Sequence, residues 1–158
     1  MKDKKDIIQR MEYNIEEFGF SVISVFSGEE TPSFSYTVGL FESKGHPEII
    51  MAGFEPSLMQ RLLQDAGVRV LKDLDTYSDG DFALEVIDGY PVAIKNPPVG
   101  SLIKNPFMMA TRHYGSEPFK MVQMFLPDAA GLFPWDAGCN VNFAKEQLRL
   151  LTKYEEMH

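Results

Sequence analysis

Four short segments carry the residue types that chemistry needs. In Gly45-His46-Pro47-Glu48, at the start of a β-rich run, a histidine and a glutamate lie two positions apart. In an extended chain both project to the same side, because strand side chains alternate with period two. A carboxylate so placed can orient an imidazole and raise its basicity. That gives one reading, a hydrolase or isomerase with His46 as base and Glu48 orienting it. The competing reading is a turn histidine and a strand-entry glutamate, both facing water.

Arg112-His113-Tyr114-Gly115 sets a guanidinium, an imidazole and a phenol at the end of a short helical pattern. Arg112 and His113 can clamp a phosphate or carboxylate. Cations at a helix C-terminus also complement the helix dipole with no ligand at all. Lys104 and Lys120 keep an anion site open. Tyr36 and Thr37 point to opposite faces of one strand, so only one of them can line a given cavity. Gly39, inside the same strand pattern, marks a bulge or a close approach by a ligand or another backbone.

The loop Pro127-Asp128-Ala-Ala-Gly131-Leu-Phe133-Pro134-Trp135-Asp136 carries aromatic residues where loops are usually polar. One reading is a plug folded back on a sheet, with Asp128 capping its own backbone. The other is an aromatic wall of Phe133 and Trp135 on which a planar ligand stacks.

Other chemistries lack their patterns. The chain has no phosphate-cradling P-loop, no dinucleotide glycine turn and no Gly-x-Ser-x-Gly elbow. Cys139 has no evident paired histidine for nucleophilic work. His46, Glu48, His113 and Asp128 do not have metal-ligand spacing, so no metal is expected, and no cofactor is identified.

The elements that must hold these residues follow from periodicity. Ile7, Ile8, Met11, Ile15 and Phe18 recur on one face of a helix capped by Asp3 or Asp6 and stopped by Gly19. Residues 20–26 and 34–40 read as a hairpin, 42–45 as a turn and 47–52 as a third strand. Pro56 opens a helix with Leu58, Leu62, Leu63 and Ala66 on its buried stripe, ended by Gly67. Residues 68–81 read as turns. Asp88-Gly89 joins strands 82–87 and 90–94 as a tight hairpin. A short helix over 106–113, a strand over 119–126 and a last helix capped near Asn142, bearing Leu148, Leu151 and Tyr154, complete the pattern. Directly linked strands predict an α+β fold, a mostly antiparallel sheet or small split barrel of about six strands with three or four packed helices.

The 158 residues suit a single domain spanning 1–158. With 15 basic and 23 acidic residues the formal charge is −8, which repels duplex nucleic acid. A lone cysteine fits a reducing compartment. No segment reads as a signal peptide or a membrane span, so the expected location is cytoplasmic, with no membrane partner. Homo-oligomerisation is left open.

Four stretches taken together point further: Phe34-Ser-Tyr-Thr-Val-Gly-Leu40, Gly45-His-Pro-Glu-Ile-Ile50, Asp88-Gly-Tyr-Pro-Val92 and Pro127-Asp-x-x-Gly-x-Phe-Pro-Trp135. In this order they resemble the bacterial and phage family called domain of unknown function 4262, from about Ile15 to Gly138. The resemblance implies a small stand-alone domain. It adds weight to Tyr36, His46, Glu48, Asp128 and Trp135 without implying a reaction. The leading expectation is a small-molecule, nucleotide-like binding module lined by Tyr36, His46, Glu48, Phe133 and Trp135, with Arg112 meeting an anionic group and Thr37, His113 and Asp128 as further candidate ligand-binding residues. A protein-interaction domain anchored by Leu132–Trp135 is a further alternative.

Overall fold

The computed structural model describes residues 4–26, 33–96, 108–115 and 117–147. In chain order these form α1 (Lys4–Phe18), β1 (Ser21–Val25), β2 (Phe34–Val38), α2 (Leu40–Lys44), β3 (Glu48–Ala52) and α3 (Pro56–Leu71). Then come β4 (Phe82–Ile87), β5 (Tyr90–Lys95), α4 (Met108–Tyr114), β6 (Met121–Phe125) and α5 (residues 141–147). The expectations placed on Asp3, Lys104, Pro106, Leu148, Leu151 and Tyr154 lie outside the described residues.

The fold is α+β, built on one six-stranded sheet of order β1-β2-β3-β6-β5-β4. Two antiparallel three-stranded halves meet at a single parallel seam, where Glu48, Ile49 and Ile50 of β3 face Met121, Val122 and Gln123 of β6. The sheet stays open rather than closing into a split barrel, and β1 and β4 form its edges.

Each face of the sheet has its own cover. Ile49, Met51, Val92, Ile94, Val122 and Met124 pack under Met59, Leu62, Leu63, Ala66 and Val70 of α3. The alternate positions Tyr36, Ile50 and Ala52 pack against Met11 of α1 and Met109 and Ala110 of α4. Further along that second face, Ala93 and Phe125 receive Phe133 from the loop after β6. With both faces covered, β2 and β3 are buried at every position, so the apolar–polar alternation of a half-exposed strand is lost.

Several boundaries differ from the sequence expectation. Residues 40–44, read as part of a strand and a turn, form the short helix α2, closed by Gly45 at φ 68°. Gly67 does not end α3; it lies in the helix interior, where a Cβ would fall 2.3 Å from the ring of Phe20. The glycine is therefore a packing requirement. Phe18 completes the α1 repeat yet is 59% exposed. The cap of α5 is Asn140, whose side-chain oxygen accepts the Phe143 N–H at 3.0 Å, and not Asn142.

Candidate functional site

Glu48, the first residue of β3, is fully buried. A carboxylate survives such a position only if donors replace the water it has lost. Five converge on it. The chain leaves β2 at Gly39, with φ 117°, where a Cβ would lie 2.7 Å from the Gly19 carbonyl oxygen and 2.8 Å from Phe20 Cα. Only glycine fits that approach. The first turn of α2 then aims its unpaired N–H groups at Glu48. Gly39 (3.0 Å) and Phe41 (3.2 Å) donate to Oε2, and Leu40 (3.2 Å) donates to Oε1.

Two hydroxyls complete the shell. Thr37 donates to Glu48 Oε1 at 2.8 Å while accepting the Ile49 N–H at 2.9 Å, so its side chain bridges β2 and β3 past the last paired residue. Tyr114 of α4 donates to Glu48 Oε2 and accepts the N–H groups of Gly39 (3.1 Å) and Glu42 (3.3 Å). Burial pushes the Glu48 carboxyl up, and its bonds from Tyr114, Thr37, Phe41 and Gly39 pull it back. The Tyr114 oxygen already receives two N–H groups, so its own proton is committed to Glu48. All five donors are satisfied together only by the ionised carboxylate. Burial, and then the charge of Glu48, push the Tyr114 phenol well above its ordinary range.

This shell backs an open cleft of about 480 Å³ lined by Phe41, Glu42, His113, Tyr114 and Glu117. The His113 Nε2 pairs with the Glu42 carboxylate; His113 is 20% exposed and Glu42 55%. Phe41 stands edge-on to Tyr114 at 5.7 Å, and His113 packs on the same phenol at 4.9 Å. Arg112, one residue earlier on α4, is exposed. The cleft thus offers ring surfaces, two carboxylate acceptors and an imidazole whose orientation Glu42 fixes. It can accept hydrogen bonds from a ligand.

The other sequence candidates divide among three further places. Tyr36 serves α4: its oxygen accepts the Met109 N–H at 3.1 Å, and burial pushes its phenol up to about 12. His46 is buried with both ring nitrogens engaged. Nδ1–H donates to the Pro47 carbonyl at 2.7 Å, and Nε2 accepts the Tyr77 N–H at 2.9 Å. Those partners fix the neutral tautomer, and burial lowers the imidazole's pKa in the same sense. His46 therefore ties the loop before β3 to the turn before β4. Neither of its nitrogens is directed at Glu48, whose oxygens turn to α2 and Tyr114.

Asp128 organises the loop after β6. Its Oδ1 accepts the N–H groups of Ala130 and Leu132, both at 2.9 Å, and its Oδ2 accepts that of Asn140 at 3.2 Å. The Leu132 bond foremost holds its carboxyl below the ordinary value. Phe133 and Trp135 stack at 5.3 Å, Phe125 meets Trp135 edge-on, and Lys95 Nζ lies 3.8 Å from the indole centroid. Trp135 is 40% exposed, but much of its ring surface is already in use. Among the described residues no three His, Cys, Asp or Glu side chains are grouped to hold a metal ion, and no helix is long and apolar enough to cross a membrane.

Glu48, Thr37, His113 and the neighbouring Tyr114 are singled out by the sequence, whereas Glu42 and Glu117 are not. Glu42 was hidden because residues 42–45 read as a polar turn. Once 40–44 is a helix, Glu42 is carried to α4, 71 residues away in sequence. No local spacing encodes that meeting.

The fold and site define an open-sheet α+β domain in which a buried glutamate fixes a short helix beside a histidine–glutamate cleft. The chain belongs to the family described as domain of unknown function (DUF4262), whose profile matches residues 14–140 and so spans every residue of that shell and cleft. No curated protein and no solved structure matches it.

Proposed function

We propose that this protein is a small-molecule-binding domain whose ligand occupies the Phe41–Glu42–His113–Tyr114–Glu117 cleft. The observation that carries the reading is the His113–Glu42 pair at the cleft mouth, backed through Tyr114 by the five-donor shell of Glu48. A surface ion pair needs no such backing to form, and contributes only about 0–1 kcal/mol to stability. Rigid support of an exposed polar pair is what a binding site requires, because preorganised groups lose less freedom when the ligand arrives.

The lining selects the ligand class. Glu42 and Glu117 accept hydrogen bonds and repel anions, while Phe41, His113 and Tyr114 present rings. A small planar molecule with N–H donors on its edge fits, such as a nucleobase or nucleoside; a phosphate, where present, would lie outward toward Arg112. The reading does not rest on His46 and Glu48 as an acid–base pair, since both are committed to backbone and hydroxyl partners.

Thermal-shift measurements with nucleobases, nucleosides, nucleotides, amines and carboxylates test this. A nucleobase or nucleoside is expected to raise the melting temperature of the wild type and not that of Glu42→Gln. Stabilisation by carboxylates alone, or equal stabilisation of both proteins, would overturn the assignment.

A further inference from the structure

We propose that the outer edge of β1 is a docking site where an extended, acidic segment of another protein adds to the sheet as a further strand. β1 ends the strand order, and among the described residues no strand pairs with its outer side. Its unused N–H and C=O groups are a ready template for a pairing chain.

The two edges of this sheet are treated differently. β4 carries Glu85, and its register with β5 is broken between Ala83 and Ile87, both devices that discourage pairing. β1 reads Ser-Val-Ile-Ser-Val, with no charge and no proline, and keeps regular register with β2 over all five residues. Such an edge invites β-augmentation, in which backbone bonds supply affinity and alternate side chains supply specificity.

The edge also lies in a groove. α1 and α3 flank β1 and enclose about 580 Å³ along it. Met11, Ile23 and Phe26 give the groove apolar ground, with Phe26 73% exposed, and Asn14, Gln60 and Gln64 give it polar rims. Five residues of strand span about 17 Å, enough to pair a peptide of five or six residues.

Charge selects the occupant. In a chain of net charge −8, the described residues that line this groove include no acidic side chain and one cation, Arg10, which makes no ion pair among the described residues. A carboxylate on the incoming segment would meet Arg10 in the two-pronged geometry that guanidinium favours. A second copy of this chain suits the groove less well. Symmetric pairing of two β1 edges would join two bodies of charge −8, and the described groove lining holds no carboxylate to meet Arg10.

A displayed library of random octapeptides, selected on the full-length protein, tests the proposal. Selected peptides, made with a fluorescent label, are read by anisotropy at low and high salt. The expected result is enrichment of alternating β-branched sequences with one acidic residue. Arg10→Glu should weaken the selected peptide about tenfold or more, and a lysine replacing the peptide's acid should restore binding to that variant. Arg10 is on the helix surface, so the charge reversal leaves the fold in place. Selection of no sequence, selection of basic sequences, or undiminished binding of a peptide methylated at alternate backbone nitrogens would overturn it. So would dimerisation of the free protein through β1, detected by sedimentation and abolished by a β1 substitution.

Discussion

Replacing Glu48 by glutamine keeps the volume of the side chain and removes its charge, which isolates the hydrogen-bond shell from packing. An amide has one acceptor oxygen in place of two. If that oxygen takes the Oε2 position it retains Gly39, Phe41 and Tyr114 as donors, now without charge assistance. The amide nitrogen then faces Leu40 N–H and the Thr37 hydroxyl; Thr37 can rotate, but Leu40 N–H is orphaned. One buried donor without a partner costs about 1–3 kcal/mol, and loss of charge weakens the remaining bonds by about 1 kcal/mol in sum. The expected loss is thus about 2–4 kcal/mol, a large part of the roughly 5–15 kcal/mol by which domains are stable. Urea denaturation at neutral pH, fitted with a common slope, reads it directly. Tyr114→Phe should cost less, and the double variant should fall short of the sum, because both changes act on one shell. If Glu48→Gln stays within about 0.5 kcal/mol of wild type, the shell is not what fixes α2 and the site loses its support.

Gly67→Ala should destabilise despite alanine's advantage of about 1 kcal/mol in a helix, because its methyl group meets the Phe20 ring; a circular-dichroism melt above wild type would show that Phe20 yields freely. Burial lowers the folded pKa of His46, so the unfolded chain takes up its proton first as pH falls. Stability from this group is complete above about pH 6.5 and declines below it, by at most about 1.4 kcal/mol per pH unit. His46→Gln should flatten the stability profile between neutrality and mild acid, and an unchanged slope would exclude His46 as its source. Glu42→Gln and His113→Ala should each weaken a cleft ligand about tenfold or more, the worth of one charge-assisted hydrogen bond, while shifting stability little. Calorimetry of the bound ligand would refute this by returning wild-type affinity.

What the sequence made legible is local. The Asp88-Gly89 turn, the Pro56 helix start and the Gly19 stop each depend on residues within one turn of backbone, and each forms as the pattern requires. The self-capping role of Asp128 was readable for the same reason, since its acceptors serve N–H groups close by in the chain. Where packing decides, the local pattern misleads. Gly67 reads as a helix stop, yet the chain continues for another turn because the missing side chain is what admits Phe20. Residues 40–44 have too few turns to show helical periodicity, and their helix is nucleated by a carboxylate on the next strand. His46 and Glu48 share a strand-entry segment, but their partners come from the turn before β4 on one side and from α2 and α4 on the other. Alternation predicts that two side chains share a side; it does not predict what stands between them.

In the proposed function, the cleft between α2 and α4 takes a small planar molecule with hydrogen-bond donors on its edge. Titration of isotope-labelled protein with nucleobases and nucleosides, followed by amide and histidine-ring resonances, reports on that cleft residue by residue. Saturable shifts centred on Phe41, Glu42, His113 and Tyr114 are expected, and these vanish in Glu42→Gln while the rest of the spectrum stays native. If every compound at millimolar concentration leaves those resonances unmoved, or if the shifts centre elsewhere on the fold, the cleft is not the ligand site.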